Sequence, residues 1–450
     1  MKVTKFGGTS MATAEQIRKV CDIILSDSER RLVVVSAPGK RFKEDTKVTD
    51  LLINLAEKYL SVEAAEDELQ AVVERYREIA RDLGLKEEIV DVIDKDLRER
   101  LKVSTNSKEK FIDCMKAAGE DNSAKITAEY LRSKGLEAHY INPGDAGLLL
   151  SNEFGNARVL PVSYENLKAL KKKTGIMIFP GFFGYSPNGD VVTFSRGGSD
   201  ITGSILAAAV EASVYENFTD VDSVFVANPH IVKNPIGISE ITYREMRELS
   251  YAGFTVLHEE TLEPVYRKGI PVNIRNTNNP SVPGTFIVTG RERTDRPVIG
   301  IAGDKGFCSV YIRKYLMNRE IGFGRKVLQI LEEEGLSYEH VPSGIDELSI
   351  ILREKQLNEE MGLRIVTRIK EELNAEEVSI VSNLALVVVV GEGMIRTVGL
   401  AVRATGALAK ANVNIEMINQ GSSEVSIMFG VVTEDKDKAV RALYEEFFPK

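Results

Sequence analysis

Two short glycine-bearing segments carry side chains suited to phosphate chemistry. Residues 5–10 read KFGGTS. Paired glycines let a backbone turn tightly and approach a ligand closely. The N–H groups of a following helix are open to an anion, and Lys5 adds a point positive charge. A glycine turn beside a solvated lysine is the bland alternative for GG alone; the whole hexapeptide favours a phosphate cradle. Residues 195–200 read SRGGSD. Arg196 has the planar fork that grips a carboxylate through two hydrogen bonds, and Asp200 falls where a helix N-cap is expected. Residues 218–221, FTDV, put Thr219 and Asp220 at a strand end, as nucleotide contacts or as a plain cap and turn. Residues 118–121, AGED, precede a helical pattern, so Glu120 could meet an ammonium group or simply favour the helix's first turn. No GxxxxGK[ST] segment occurs, which excludes a P-loop enzyme. His139, His230, His258 and His340 and the three cysteines are scattered without metal-ligand spacing, so no protein-held metal site is expected.

These side chains need a scaffold that turns strands into helices. Short β-type runs at 2–6, 31–36, 175–179, 190–194 and 214–218 alternate with helical patterns at 14–25, 48–60, 123–133 and 200–212. The run at 31–36, RLVVVS, is continuously apolar, like strands buried on both faces of a parallel sheet. Ile17, Val20, Cys21 and Ile24 share one helical face. Such alternation predicts an α/β sandwich on a mostly parallel sheet. Residues 61–103 are highly charged with helical periodicity and read as a surface helical excursion. Two glycine-rich strand-to-helix turns in one parallel sheet converge on one crevice at the carboxyl ends of its strands, which favours a joint phosphate and carboxylate site.

The pattern changes after 291–297, RERTDRP, a polar linker. Strands at 308–313, 337–341, 347–352 and 378–381, with helices at 322–334 and 358–373, make one βαββαβ unit. A second follows with strands at 384–390, 413–418 and 425–432 and helices at 398–411 and 436–448, one strand short. The spare strand at 298–302, VIGIA, completes it, so the first unit is inserted in the second. The expected organisation is one domain over 1–290, the linker, an inserted module over 307–382, and a discontinuous module over 298–306 and 383–450. A repeat of roughly 70 residues suits two small α+β modules and is too long for a solenoid.

The chain has 450 residues, enough for roughly two or three domains. It is 43% hydrophobic and 28% charged, an ordinary globular composition with ample apolar surface to bury. A net charge of −9 argues against a general nucleic-acid partner. The longest apolar run, 384–390, is too short to span a bilayer, and no apolar signal segment opens the sequence. Cys21, Cys114 and Cys308 are odd in number and far apart, so no disulfide framework follows and a cytoplasmic home is expected.

Together, KFGGTS at 5–10, VVVSAPGK at 33–40 followed by Thr49, GE at 119–120, FSRGGSD at 194–200, TDV at 219–221 and RNTNNPSVPGT at 275–285 resemble the aspartate kinases of the amino acid kinase family. MNREIGF at 317–323 and INQGSSEVSI at 418–427 resemble that family's paired ACT regulatory modules, which have a ferredoxin-like fold. The resemblance implies an αβα sandwich with two such modules, catalysing ATP-dependent phosphorylation of the L-aspartate β-carboxylate at the start of lysine, threonine and methionine synthesis. It implies that Lys5 stabilises the transferred phosphoryl group and that Asp200 organises Lys5 and the Mg2+-nucleotide. Arg196 would hold the substrate α-carboxylate and Glu120 its ammonium, with Thr49, Phe182 and Ser199 lining the pocket. Gly7, Gly8, Ser36, Thr219, Asp220, Phe225 and His230 would seat ATP. Met317, Gly322, Phe323, Gly324, Tyr338, Glu339, Ser343 and Asp346 would bind an inhibitory amino acid, lysine first and threonine second. Paired modules imply a homodimer, with a tetramer as the larger alternative. The chemistry is coherent from below. A β-carboxylate, with an ordinary pKa near 3.9, is already ionised at neutral pH and needs no general base. What remains is positioning and charge neutralisation.

The sequence departs from the family pattern on the nucleotide side. Asn228-Pro229-His230 stands for Asp-Pro-Arg, and Thr255 for a lysine, so two cationic contacts are replaced. The loop between Ser36 and Thr49 is also longer than usual. Two other readings therefore stay open: a kinase of another small carboxylate, and a catalytically weak amino-acid sensor.

Overall fold

The computed structural model describes every residue except 196, 255, 256, 258, 292–295 and 450, with backbone alone at 259 and 260. The chain divides into two units. The first comprises Met1–Val224, Gly237–Met246 and Thr255–Arg291; the second comprises Phe225–Ile236, Arg247–Phe254 and Glu292–Lys450. Two short stretches of the span before residue 290 thus group with the C-terminal sheet.

The first unit opens with β1 (Lys2–Phe6), α1 (Ala14–Leu25) and β2 (Arg30–Val35). Thr13 starts α1 by accepting the Gln16 amide at 3.3 Å. Four helices follow: α2 (Val48–Val62), α3 (Glu66–Leu83), α4 (Glu88–Leu101) and α5 (Lys108–Ser133). After β3 (Ala138–Tyr140) and α6 (Val162–Leu167) come β4 (Ile176–Pro180), β5 (Phe183–Tyr185), β6 (Val191–Thr193), α7 (Gly198–Val210) and β7 (Tyr215–Thr219). The remaining elements are β8 (Glu240–Thr242), α8 (Tyr243–Tyr251), which passes into the second unit at Arg247, α9 (Glu259–Lys268), β9 (Val272–Asn276) and β10 (Thr285–Val288). Eight strands form one sheet in the order β3-β4-β2-β1-β7-β9-β10-β8. Every neighbouring pair is parallel except β9 with β10. The apolar run Leu32, Val33, Val34 and Val35 is fully buried, as a central strand requires.

Several expectations need correction. The helix expected at 123–133 is the second half of α5, so Glu120 stands mid-helix rather than in a first turn. The strand expected at 190–194 is β6, which pairs only with β5 in a separate two-stranded antiparallel sheet. The SRGGSD turn therefore does not leave the parallel sheet. Gly197, at φ +76, occupies the cap position of α7, and Asp200 stands one turn inside. The excursion at 61–103 is helical, but Leu69, Val72, Val73, Tyr76 and Ile79 of α3 are buried in the main hydrophobic core.

The second unit contains β11 (Gly300–Arg313), α10 (Phe323–Glu333), β12 (Glu347–Arg353), α11 (Glu359–Glu372), β13 (Glu377–Val390), α12 (Leu400–Lys410), β14 (Met417–Asn419), β15 (Ser426–Val432) and α13 (Lys436–Phe447). Its sheet runs β12-β11-β13-β15-β14, antiparallel throughout. The two βαββαβ patterns share it. The expected strands 298–302 and 308–313 fuse into β11, and 378–381 and 384–390 fuse into β13. Each fused strand bends at a left-handed residue, Gly306 (φ +84) and Asn383 (φ +68), where the pairing register shifts. The strand expected at 337–341 reduces to single bridges at His340 and Ser343. Pro342 sits between them without an N–H to continue a ladder. The linker residues 292–295 lie outside the described residues. No helix among the described residues is long and apolar enough to cross a membrane.

Candidate functional site

The first unit assembles a charged cluster around the end of β1. Lys5 pairs in parallel register with Asn217 on β7, so both side chains leave the same face of the sheet. On that face the Lys5 ammonium lies 2.5 Å from Asp200 Oδ1, and Asn217 Nδ2 donates to the same oxygen at 2.8 Å. Tyr215 anchors the helix by donating its hydroxyl to the Asp200 carbonyl at 3.0 Å. Lys5 is 7% exposed, so this cation works where water screens it little.

The glycine loop lies directly beyond. A Cβ on Gly7 would sit 3.4 Å from Lys5 Nζ, so the bare backbone borders the ammonium. Gly8 and Gly39 nearly touch: a Cβ on Gly39 would lie 2.7 Å from the Gly8 carbonyl carbon, and the Gly39 amide donates to the Gly8 oxygen at 2.8 Å. Ser36 is half-buried at the start of that second loop, its amide donating to Phe6 at 3.1 Å. Thr219 ends β7 and Asp220 follows, exposed; the Gly7 amide donates to Phe218 beside them at 3.2 Å. The expected phosphate segments Gly7, Gly8, Ser36 and Thr219 are thus gathered at one end of adjacent strands. Phe225 and exposed His230 belong to the second unit instead.

Glu120 comes to the same region from α5. Gly119 makes this possible, since a Cβ there would lie 2.8 Å from the Ala37 side chain. The close approach brings the Glu120 turn against Val48 and Leu52 at the start of α2, where Thr49 is half-buried. The Glu120 carboxyl is 6% exposed, and its Oε2 has no hydrogen-bond partner among the described residues. Burial pushes its pKa up to about 8, against the Ala37 amide and the charges of Lys116 and Lys5, which pull it down. A buried carboxyl with an unmet bond is expensive unless something arrives to satisfy it.

Phe182 and Ser199 meet across glycines. Phe182 holds φ +74, and its amide donates to Thr202 Oγ1 at 3.0 Å. Its ring packs on Gly198, where a Cβ would be only 2.6 Å away; buried Ser199 fills the space over Gly181. Arg196 lies outside the described residues, as does Thr255.

The expected effector residues occupy the second unit. Met317 and Phe323 are buried in the core of the β11–β12 half. Gly322, at φ +80, caps α10, and Gly324 has open space where a side chain would be. The carboxylates are already engaged. Asp346 accepts the Leu316 amide at 2.8 Å and so fixes a left-handed residue, Leu316 at φ +58. Glu339 accepts the Tyr251 hydroxyl and lies 3.3 Å from Arg353, which also reaches Asp304 at 2.6 Å. Tyr338 is exposed, and Ser343 bridges Leu348.

Sequence reasoning passed over Asn217, Thr202 and Lys116. Lys116 lies 5.7 Å from the Phe182 ring centre and 2.8 Å from Asp113. Asn217 had a legible signal, since it follows Glu216 in a short strand of YENFT sequence where two adjacent polar residues are unusual for a central position. Thr202 and Lys116 had none, because only the fold brings them to Phe182. The three cysteines are free and buried, with thiols pushed up by burial, to about 12 at Cys21 and about 11 at Cys308. No group of three metal-ligating side chains exists among the described residues.

Residues 1–276 match the amino acid kinase family and residues 387–447 match the ACT domain. Aspartokinase 3 of Bacillus subtilis is 59% identical over 448 residues, covering 100% of this chain and 99% of the relative. The crystal structure of Clostridium acetobutylicum aspartate kinase, described as an allosteric enzyme, superposes with a TM-score of 0.88 at 42% identity, over 99% of this chain and 100% of that one. Aspartokinase III of E. coli, solved with aspartate and ADP in an R-state, gives a TM-score of 0.76 at 27% identity over the full length of both chains. The same enzyme solved with lysine and aspartate in a T-state gives 0.73 at 27% identity, over 100% of this chain and 99% of that one. The chain therefore belongs to the amino acid kinase family and, within it, to the aspartokinases, phosphotransferases that take a carboxyl group as acceptor.

Proposed function

We propose that this aspartokinase transfers the γ-phosphoryl group of ATP to the β-carboxylate of L-aspartate, giving 4-phospho-L-aspartate. The observation that carries the substrate reading is Glu120: a buried carboxyl with an unmet hydrogen bond, within the field of Lys5, suits a ligand ammonium. Thr49, Phe182 and Ser199 line that pocket in this reading, and Arg196 grips the α-carboxylate. Lys5 neutralises charge on the phosphoryl group in flight, while Asp200 holds Lys5 in place through the 2.5 Å contact. Gly7, Gly8, Ser36, Thr219 and Asp220 receive the nucleotide. Asp200, the carboxylate beside the phosphate loop, would be the residue to receive a nucleotide-borne Mg2+, which would neutralise phosphate charge. The E. coli relative bound to aspartate and ADP supports both ligands.

In the same reading the domain boundaries are those expected above, 1–290, 298–306 with 383–450, and 307–382. The modules take an inhibitory amino acid, lysine first and threonine second, at Met317, Gly322, Phe323, Gly324, Tyr338, Glu339, Ser343 and Asp346. The lysine complex of the E. coli relative supports this assignment. Exposed Ile321, Ile345, Val398 and Val402 on the second unit suit a homodimer, with a tetramer as the larger assembly. The enzyme works in the cytoplasm, at the head of the route to lysine, threonine and methionine.

The test is ATP-dependent aspartyl hydroxamate formation in the presence of hydroxylamine, with and without lysine. Product that falls as lysine rises is expected. No product at millimolar ATP and aspartate from a folded protein would replace the kinase reading with the sensor. Product that ignores lysine would retain the reaction and reject the effector.

A further inference from the structure

The charged helix α3 reaches the site with two adjacent side chains. Tyr76 is fully buried, and its hydroxyl donates to the Gly119 carbonyl at 2.7 Å, on the peptide that leads into Glu120. Arg75 is 4% exposed. Its Nη2 lies 2.8 Å from the Gly39 carbonyl, 3.1 Å from Asp45 Oδ2 and 3.4 Å from the Ala12 carbonyl. Gly39 is the residue pressed against Gly8, and Ala12 lies just past the KFGGTS turn. One guanidinium thus ties together the two backbone segments that close the phosphate end of the site. Asp45, which it pairs, is also gripped by Arg41 at 2.9 Å, so the long loop after Ser36 is fastened at both Gly39 and Asp45.

Stability alone explains this poorly. Arg75 Nε and Nη1 have no partner among the described residues, and a buried cation with unmet donors is a costly way to hold a helix. A buried tyrosine that hydrogen-bonds a carbonyl inside another helix is likewise a specific choice where phenylalanine would fill the same volume. Both side chains hydrogen-bond backbone that borders functional groups.

We propose that Tyr76 and Arg75 are positioning residues for phosphoryl transfer: Tyr76 sets the Glu120 turn, and Arg75 sets the spacing between the glycine loop and the loop after Ser36. The proposal rests on the aspartokinase reading of this site. It makes the 61–103 excursion a buttress of the active site, so that the two ligands are governed by separate residues of one helix.

The test is steady-state kinetics of Tyr76→Phe, Arg75→Lys and Arg75→Met, each checked for folding by thermal melting. Tyr76→Phe should raise KM for aspartate about 3- to 10-fold, leaving KM for ATP and kcat within about twofold, the size of one lost neutral hydrogen bond. Arg75→Met should lower kcat at least 10-fold and weaken ATP, with Arg75→Lys recovering part of both because it keeps a donor for one carbonyl. Titration of ATP·Mg2+ into the Arg75 variants by calorimetry needs no turnover and reads the loop half separately. Wild-type turnover in the same assay answers the substrate reading by itself. Variants that melt lower yet keep wild-type KM values, kcat and ATP affinity would overturn the positioning claim while leaving that reading intact. If Arg75→Met does not fold, Arg75→Lys and Tyr76→Phe still decide the matter.

Discussion

Glu120 in the first unit and the pair Glu339 and Asp346 in the second are all carboxylates near proposed amino-acid sites, yet their surroundings are opposite. Glu120 is buried with an oxygen unpartnered, and its pKa stands at about 8. Glu339 already has Tyr251 and Arg353, and Asp346 already has the Leu316 amide. In the proposed reading the first awaits a ligand cation, so that binding supplies what folding left out. Asp346 holds backbone in shape and Glu339 ties two side chains together, so an effector must displace a bond or use one lone pair beside it. Among these three carboxylates, an unmet hydrogen bond inside the fold is the difference.

The largest effect is expected at Lys5, on which the receptor side depends. Lys5→Met should lower kcat about 10²- to 10³-fold in the hydroxamate assay, the scale of losing one preorganised charge donor, while aspartate still binds. Glu120→Gln comes next. It removes the charge at constant shape, and KM for aspartate should rise about 10- to 100-fold, roughly the 1.5–3 kcal/mol of a charged hydrogen bond, with KM for ATP unchanged. Asp346→Ala should lower the stability of the second unit by about 1 kcal/mol through the freed Leu316 amide, read by thermal melting, without altering uninhibited kinetics. Tyr251→Phe is expected to be the smallest, at most about 1 kcal/mol in the same melt.

Stability against pH sharpens the contrast. The Glu120 pKa is raised from 4.5 to about 8 on folding, so between these values the folded state keeps a proton that the unfolded state has lost. The contribution of Glu120 to stability is therefore most favourable below pH 4.5 and declines as pH rises through the window to about 8. The melting temperature of wild type relative to Glu120→Gln should fall over that range. A parallel pair of curves would contradict the burial argument.

How much of this was legible in the sequence varied with the kind of signal. The parallel core was plain because Leu32, Val33, Val34 and Val35 form a run that only a central strand can bury. The first half of α5 was hidden. Asp113, Glu120, Asp121, Asn122 and Ser123 are all buried there, so its centre has no polar face and no helical periodicity to detect. AGED at 118–121 read as the stretch before a helix, whereas Gly119 lies inside one and allows the close approach to Ala37. The charged surface of α3 concealed Tyr76 and Arg75, since periodicity marks a buried face without saying what lies beneath it. In the second unit, Gly306 and Asn383 read as breaks between strands but are bends within β11 and β13. Lys5 and Asp200 were legible as motif residues; their contact, across a sheet face prepared by Asn217, was not, because it depends on strand register.

Glu120 is proposed as the receptor for the substrate ammonium. Its most direct test is the pH profile of kcat/KM for aspartate, measured for wild type and Glu120→Gln from pH 6 to 9. Binding an ammonium requires the ionised carboxylate, so wild-type kcat/KM should rise with pH and level off near about 8. The variant should be lower throughout and lack that rise. Superimposable profiles, or a variant with unchanged KM for aspartate, would contradict the account.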